Sequence, residues 1–266
     1  NYNKSNKKHS NKLALLRSFC KLDISYKHSR ARRANYNQQA SGQLTYFEAA
    51  PDRIVNTHNW SYELLMSAYY LNELIIKLLP KEVGDKSLFD LYEKTLLYLD
   101  KLAIDFSKNK DLDKDLDNNN FNILLSLYLR SFEWNLLNHC GYGIDLSVDS
   151  NSEALISEMC YLCQPATRVE KATKFILDDN KSENNKSENN KSENNKLERY
   201  TQGIFTGSEL IKIASGSWDD PAILLALRYL LRLNISYYTN GAVFESRVAL
   251  GYYFKQQKTA KNSKIS

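Results

Sequence analysis

The tightest spacing of reactive side chains in the chain is Cys160-Tyr-Leu-Cys163. Two thiols in that register suit half of a four-ligand zinc site, or a redox dithiol. Structural zinc wants four ligands, and beyond this pair only Cys140, His139 and Cys20 are on offer, none as a second CxxC or HxxxH. A redox dithiol would sit between a strand and a helix opened by a Gly-Pro turn, which is not written here. Reduced, inert thiols are the default reading; Cys160 and Cys163 stay the only metal candidates, and no cofactor is expected. The four histidines, His9, His28, His58 and His139, stand apart from any Ser or Cys nucleophile signature. Phosphate-binding glycine loops, HExxH and EF-hand spacings are absent. Asp111, Asp113, Asp115 and Asp117 lie in a polar stretch with no apolar wall to raise a carboxyl pKa. The sequence therefore gives no reason to expect an enzyme.

Cations offer a different chemistry. Residues 1–33 carry ten Lys or Arg against the single acid Asp23, a balance of +9. Residues 247–266 add +5 with no acid, so the body carries −9 in a chain of net charge +5. Basic ends suit a polyanion, because each cation laid on a phosphate releases a counterion and adds affinity that salt removes. The candidates for contact with a nucleic-acid polyanion are Lys4, Lys7, Lys8, Lys12, Arg17, Lys27, Arg30, Arg32, Arg33 and Arg247. Tyr26 and Tyr36 flank Lys27, Arg30, Arg32 and Arg33, so rings that stack on unpaired bases would sit beside groups that hold phosphates. Solvated basic tails explain the same composition equally well.

The elements that must position these groups change character along the chain. From Leu13 to Pro51 the signals are extended, and two or three short strands are expected, with the Ser25–Tyr36 stretch as a basic hairpin loop. From Trp60 the period becomes 3.6. Leu64, Leu65, Ala68, Leu71, Ile75, Leu78 and Leu79 share one face of a helix over 60–79, stopped by Pro80 and Gly84. Ser87 is expected to cap a second helix over 88–106, and 107–120 reads as a polar loop. A third helix runs over 121–138 to the stop at Gly141 and Gly143, and Asp219 or Asp220 with Pro221 opens a late one. Four or five helices make a bundle. Three copies of Lys-Ser-Glu-Asn-Asn over 181–195 have nothing apolar to bury, so 178–197 reads as a disordered insertion. With 266 residues, 42% apolar, the chain is long enough for a real core, and no apolar run is long enough for a membrane helix. The expectation is a cytoplasmic protein whose start is missing.

One segment joins core and charge: Leu127-Tyr-Leu-Arg130-Ser-Phe132-Glu133-Trp134, leading to Gly141-Tyr142-Gly143. With Tyr69-Tyr70-Leu71-Asn72-Glu73-Leu74, Leu88-Phe89-Asp90-Leu91-Tyr92 and Phe244-Glu245-Ser246-Arg247-Val248, it forms an ordered set of signatures spanning about 60–250. In that order and spacing the chain resembles the bacterial recombination mediator family RecO.

The resemblance implies an α+β, mostly α protein in which a partial, truncated N-terminal OB-fold (1–55) precedes a RecO-like helical domain (56–266). Asn1 to Lys12 resembles the basic loop inside the family's barrel, so the first strands are expected to be absent here. It implies DNA repair and recombination of the RecF pathway type: binding single- and double-stranded DNA, annealing complementary strands and loading recombinase on DNA coated with single-strand-binding protein. The implied partners are DNA, a RecR-like protein and the acidic C-terminal tail of single-strand-binding protein, with no membrane. Arg130 stands where similar proteins meet that tail, and Leu127 or Leu78 would supply an apolar groove beside it. An internal ion pair with Glu133 or Glu73 is the competing role for Arg130; Arg130→Ala is expected to weaken tail binding while leaving the thermal midpoint nearly unchanged. Two other readings stay open: a helical protein-interaction module without direct DNA binding, and a metal-dependent nucleic-acid enzyme using Cys160, Cys163 and His139.

Overall fold

The computed structural model describes residues 18–28, 42–55, 57–80, 84–108, 114–172 and 188–262. Its contacts divide the chain into two units, Asn1–His58 and Asn59–Ser266. In the first unit, strand β1 (Cys20–His28) pairs antiparallel with β2 (Gly42–Ile54), from Cys20 opposite Ile54 to His28 opposite Gly42. The ladder shifts register between Cys20 and Leu22 and again between Ser25 and Tyr26. Such irregularities bend a strand and increase its twist. The expected basic loop over Ser25–Tyr36 is corrected at its start, where residues 25–28 belong to β1; residues 29–41 lie outside the described residues.

The second unit is mainly helical. Helix α1 (Tyr62–Leu78) starts where the Ser61 hydroxyl accepts the Leu64 N–H, and Leu64, Ala68, Leu71, Leu74 and Leu78 point its apolar face inward. Helix α2 (Lys86–Lys108) begins earlier than its spacing suggests. Its first turn is capped by Asp85, which accepts the Leu88 N–H at 3.1 Å and the Ser87 hydroxyl at 2.8 Å, so Ser87 supports the cap and does not supply it. Helix α3 (Lys114–His139) also begins early, taking in half of the expected polar loop. Gly141, at φ 75°, ends it as expected.

After α3 comes a small sheet that the sequence does not announce. Strands β3 (Cys160–Leu162), β4 (Glu170–Lys171) and β5 (Ile204–Thr206) pair antiparallel in the order β4-β3-β5. Cys160 thus opens a strand and is followed by β4, so the CxxC pair does not sit between a preceding strand and a helix, as a redox dithiol would. Tyr161 is fully buried and its hydroxyl accepts the Ile156 N–H. Gly207 is needed beside it, because a Cβ there would come within 1.9 Å of the Ile156 carbonyl oxygen.

Helix α4 (Glu188–Thr201) corrects the expected disorder of 178–197 over its described part; residues 173–187 lie outside the described residues. Its last turn explains the order. Tyr200 is fully buried and donates to Glu209 at 2.6 Å, while Arg199 reaches the same carboxylate at 3.1 Å. An anchored turn lets a helix propagate into sequence too polar to nucleate one. Helix α5 (Gly207–Ala214) opens with a capping box between Thr206 and Glu209. Helix α6 (Pro221–Tyr238) has Asp220 as its cap and Pro221 in its first turn, as the sequence predicts. Helix α7 (Glu245–Asn262) completes a mostly α, α+β architecture. Among the described residues, no helix is long and apolar enough to cross a membrane.

Candidate functional site: an arginine-lined groove

The site is built on one buried carboxylate. Glu133 lies on the inner face of α3 with its side chain fully buried. Its Oε1 accepts three donors: the Tyr70 hydroxyl of α1 at 2.6 Å, Arg130 at 2.8 Å and Arg247 of α7 at 3.2 Å. Arg247 also donates to the Tyr70 oxygen and lays its guanidinium over the Tyr70 ring, 4.0 Å from the centroid. Burial and the adjacent Glu133 charge push the Tyr70 phenol well above its ordinary range, so it stays a donor. Next to it, the Ser246 N–H donates to Glu73 at 2.9 Å. Buried charges survive only when paired and hydrogen-bonded, and this cluster draws donors from three helices to one carboxylate oxygen, while Oε2 has no hydrogen-bond partner among the described residues.

A cavity of about 490 Å³ opens above this cluster. Helix α1 lines it with Glu63, Met66 and Tyr70, and α3 with Leu125, Leu129 and Arg130. Arg228 and Arg232 come from α6, and Arg247, Leu250 and Phe254 from α7. Four guanidiniums therefore share a groove with apolar walls. Arg228 is exposed as a residue, yet desolvation at the groove and then the charges of Arg130 and Arg247 depress its pKa below the ordinary arginine range. Two buried lining groups, Arg130 Nε and Ser246 Oγ, have no hydrogen-bond partner among the described residues. An excess of positive charge between apolar walls suits an anionic ligand carrying an apolar group.

The expected site residues distribute unevenly. Arg130 is in the groove but only 6% exposed, forming its floor. It takes the internal pair with Glu133, while Glu73 is engaged by Ser246. Its burial also removes the basis for expecting an unchanged thermal midpoint on truncation. Leu127 and Leu78 do not line the cavity, and Leu78 is committed to the core. Arg247, expected on DNA, is held at the groove with its side chain 38% exposed. Lys27 falls in β1 opposite Gln43. Lys4, Lys7, Lys8, Lys12, Arg17, Arg30, Arg32 and Arg33 lie outside the described residues. Arg228, Arg232 and Glu63 were not singled out by the sequence, although two arginines four apart on an otherwise apolar helix are a signal for the first two.

Cys160 and Cys163 are buried thiols, 4% and 5% exposed, and burial pushes the Cys163 thiol up to about 12. No group of three or more His, Cys, Asp or Glu is arranged to hold a metal among the described residues. Thiols this protected should resist reagents. Brief alkylation of the native protein, mapped by mass spectrometry, is expected to label Cys140 while leaving Cys160 and Cys163 intact until denaturant is added.

Comparison with known proteins bears on what this groove serves. No family model matches the chain. The DNA repair protein RecO of Pseudomonas entomophila (strain L48) is 30% identical over 170 residues, covering 64% of this chain and 55% of that protein. RecO of Pseudomonas putida (strain F1) is 27% identical over 185 residues, 70% of this chain and 62% of that protein. RecO of Stutzerimonas stutzeri (strain A1501) gives 27% over 185 residues, 70% and 59%. The chain is RecO-like. It spans 55–62% of the length of these curated relatives. The RecO-like signatures read from the sequence converge on the groove: Tyr70 comes from the first, Arg130 and Glu133 from the LRSFEW segment, and Ser246 with Arg247 from the last.

Proposed function

We propose that this RecO-like chain is a DNA repair and recombination mediator. It acts by electrostatic shielding and docking, with no covalent step. Its basic front, including Arg30, Arg32 and Arg33 in an OB-fold portion over about 1–55, holds single- and double-stranded DNA and lowers the repulsion between complementary strands. Its helical domain, 56–266, docks the acidic C-terminal tail of single-strand-binding protein, so that recombinase is loaded where DNA is coated; a RecR-like protein is the further partner. The observation that carries this reading is the groove: four guanidiniums beside Met66, Leu125, Leu129, Leu250 and Phe254, in a RecO-like chain. A peptide ending in a large apolar residue and carboxylates needs that combination.

The assignment is tested in two parts. An acidic peptide ending in Phe, labelled at its N-terminus, should raise fluorescence anisotropy on titration with the protein, and a scrambled peptide with an internal Phe and a terminal Gly should not. For the DNA arm, Arg30→Ala, Arg32→Ala and Arg33→Ala together should weaken oligonucleotide binding. The slope of log affinity against log salt should drop by about 2 to 3, since each lost phosphate contact removes about 0.7 to 0.9. Binding that is indifferent to salt would favour a protein-interaction module without DNA.

A further inference from the structure

The groove is charged unequally along its length. Arg247 meets Tyr70, and Tyr253 meets Tyr62 with ring centroids 4.6 Å apart, so α7 runs antiparallel to α1 along the groove. Glu63 lines the groove seven residues before Tyr70 on α1, about 10 Å away at 1.5 Å per residue. Phe254 likewise stands seven residues beyond Arg247. The end at Tyr70 therefore gathers Arg130, Arg228 and Arg247, and the end at Phe254 holds the carboxylate of Glu63 beside apolar side chains. Glu63 makes no hydrogen bond or ion pair among the described residues, although four arginines line the same groove. It is half-buried, and that burial raises its pKa. Its place in the first turn of α1 favours a carboxylate, which accounts for its tolerance there but not for its aim into the groove.

We propose that Glu63 is a specificity-determining residue that closes the far end of the groove to anions. It confines a ligand's carboxylates to the end formed by Arg130, Arg228 and Arg247, and admits only an apolar side chain between Met66, Leu125 and Phe254. The inference rests on the peptide-docking reading above and adds direction to it: the acidic stretch enters and leaves over the arginines and does not thread past Glu63. Discrimination of this kind works by repelling the wrong ligand, since a like charge brought into a half-desolvated groove is strongly disfavoured.

The test uses two labelled peptides, Gly-Gly-Asp-Asp-Asp-Phe and the same peptide ending in Glu, with wild-type protein and with Glu63→Gln and Glu63→Ala. Wild type should bind the Phe-ended peptide at least about tenfold more tightly than the Glu-ended one. Both variants should tighten the Glu-ended peptide by about fivefold or more and change the Phe-ended one by less than about twofold, narrowing the ratio. If wild type binds the Phe-ended peptide but the variants shift both peptides alike, or neither, the Glu63 assignment is overturned while peptide docking stands. If neither peptide binds wild type, the docking reading fails and the Glu63 assignment falls with it.

Discussion

Arg130→Ala is expected to destabilise the helical unit by about 3–5 kcal/mol, the usual result of removing one partner from a buried ion pair. The fully buried Glu133 would lose its 2.8 Å donor and keep only Tyr70 and the longer contact from Arg247. Most of the loss is the desolvation of a carboxylate left under-paired, not the strength of one hydrogen bond. For a unit of this size the thermal midpoint should fall on the order of 10 °C. Glu133→Gln should also destabilise, by stranding the Arg130 charge. Arg130→Met combined with Glu133→Gln should cost less than the two separate changes added together, because no buried ion is left alone. A melt of Arg130→Ala within about 1 kcal/mol of wild type would show that Arg130 behaves as an exposed residue.

Arg228→Ala with Arg232→Ala should do the reverse: leave stability intact and abolish most of the affinity for an acidic, Phe-ended peptide. Both residues are exposed and both line the groove. Desolvation and the charges of Arg130 and Arg247 lower the pKa of Arg228, so the charged form is disfavoured in the folded state and its removal relieves the cluster. Hydrogen bonds to charged groups contribute about 1.5–3 kcal/mol each, so losing two predicts a drop in affinity of roughly 100-fold or more, read by anisotropy. An unchanged dissociation constant would place the peptide elsewhere.

Helices 62–78 and 221–238 were legible because their signals are local: apolar residues three and four apart running to Pro80, and Asp219 or Asp220 followed by Pro221. The pairing of Arg130 with Glu133 was legible as an i, i+3 contact; its burial was not. The residues that cover it, Tyr70 and Arg247, stand 60 and 117 positions away along the chain, and no local pattern encodes their meeting. The β4-β3-β5 sheet escaped because strands of two or three residues carry no alternation to read. The helix over 188–201 escaped for a different reason. Its repeat-derived residues have no propensity argument in their favour, and its order comes from Tyr200 and Arg199 binding Glu209. The groove itself was half legible: Arg130 was named, but the apolar wall came from Met66, Leu125, Leu129, Leu250 and Phe254 in place of Leu127 and Leu78.

The described polar ties of helix 245–262 to its neighbours gather in its first turn, through Ser246 to Glu73 and Arg247 to Tyr70 and Glu133. Farther along, it leans on helix 62–78 through Tyr253 and Tyr62. A helix hydrogen-bonded at one end and held by ring packing at the other would yield first at the second, since elements held by fewer bonds open at lower free energy. A ligand's carboxylates would thus meet a seat of fixed dimensions, whereas its apolar side chain would meet a wall that can yield. Tails that differ in the bulk of their last residue should be accommodated at that wall, without any change at the arginines.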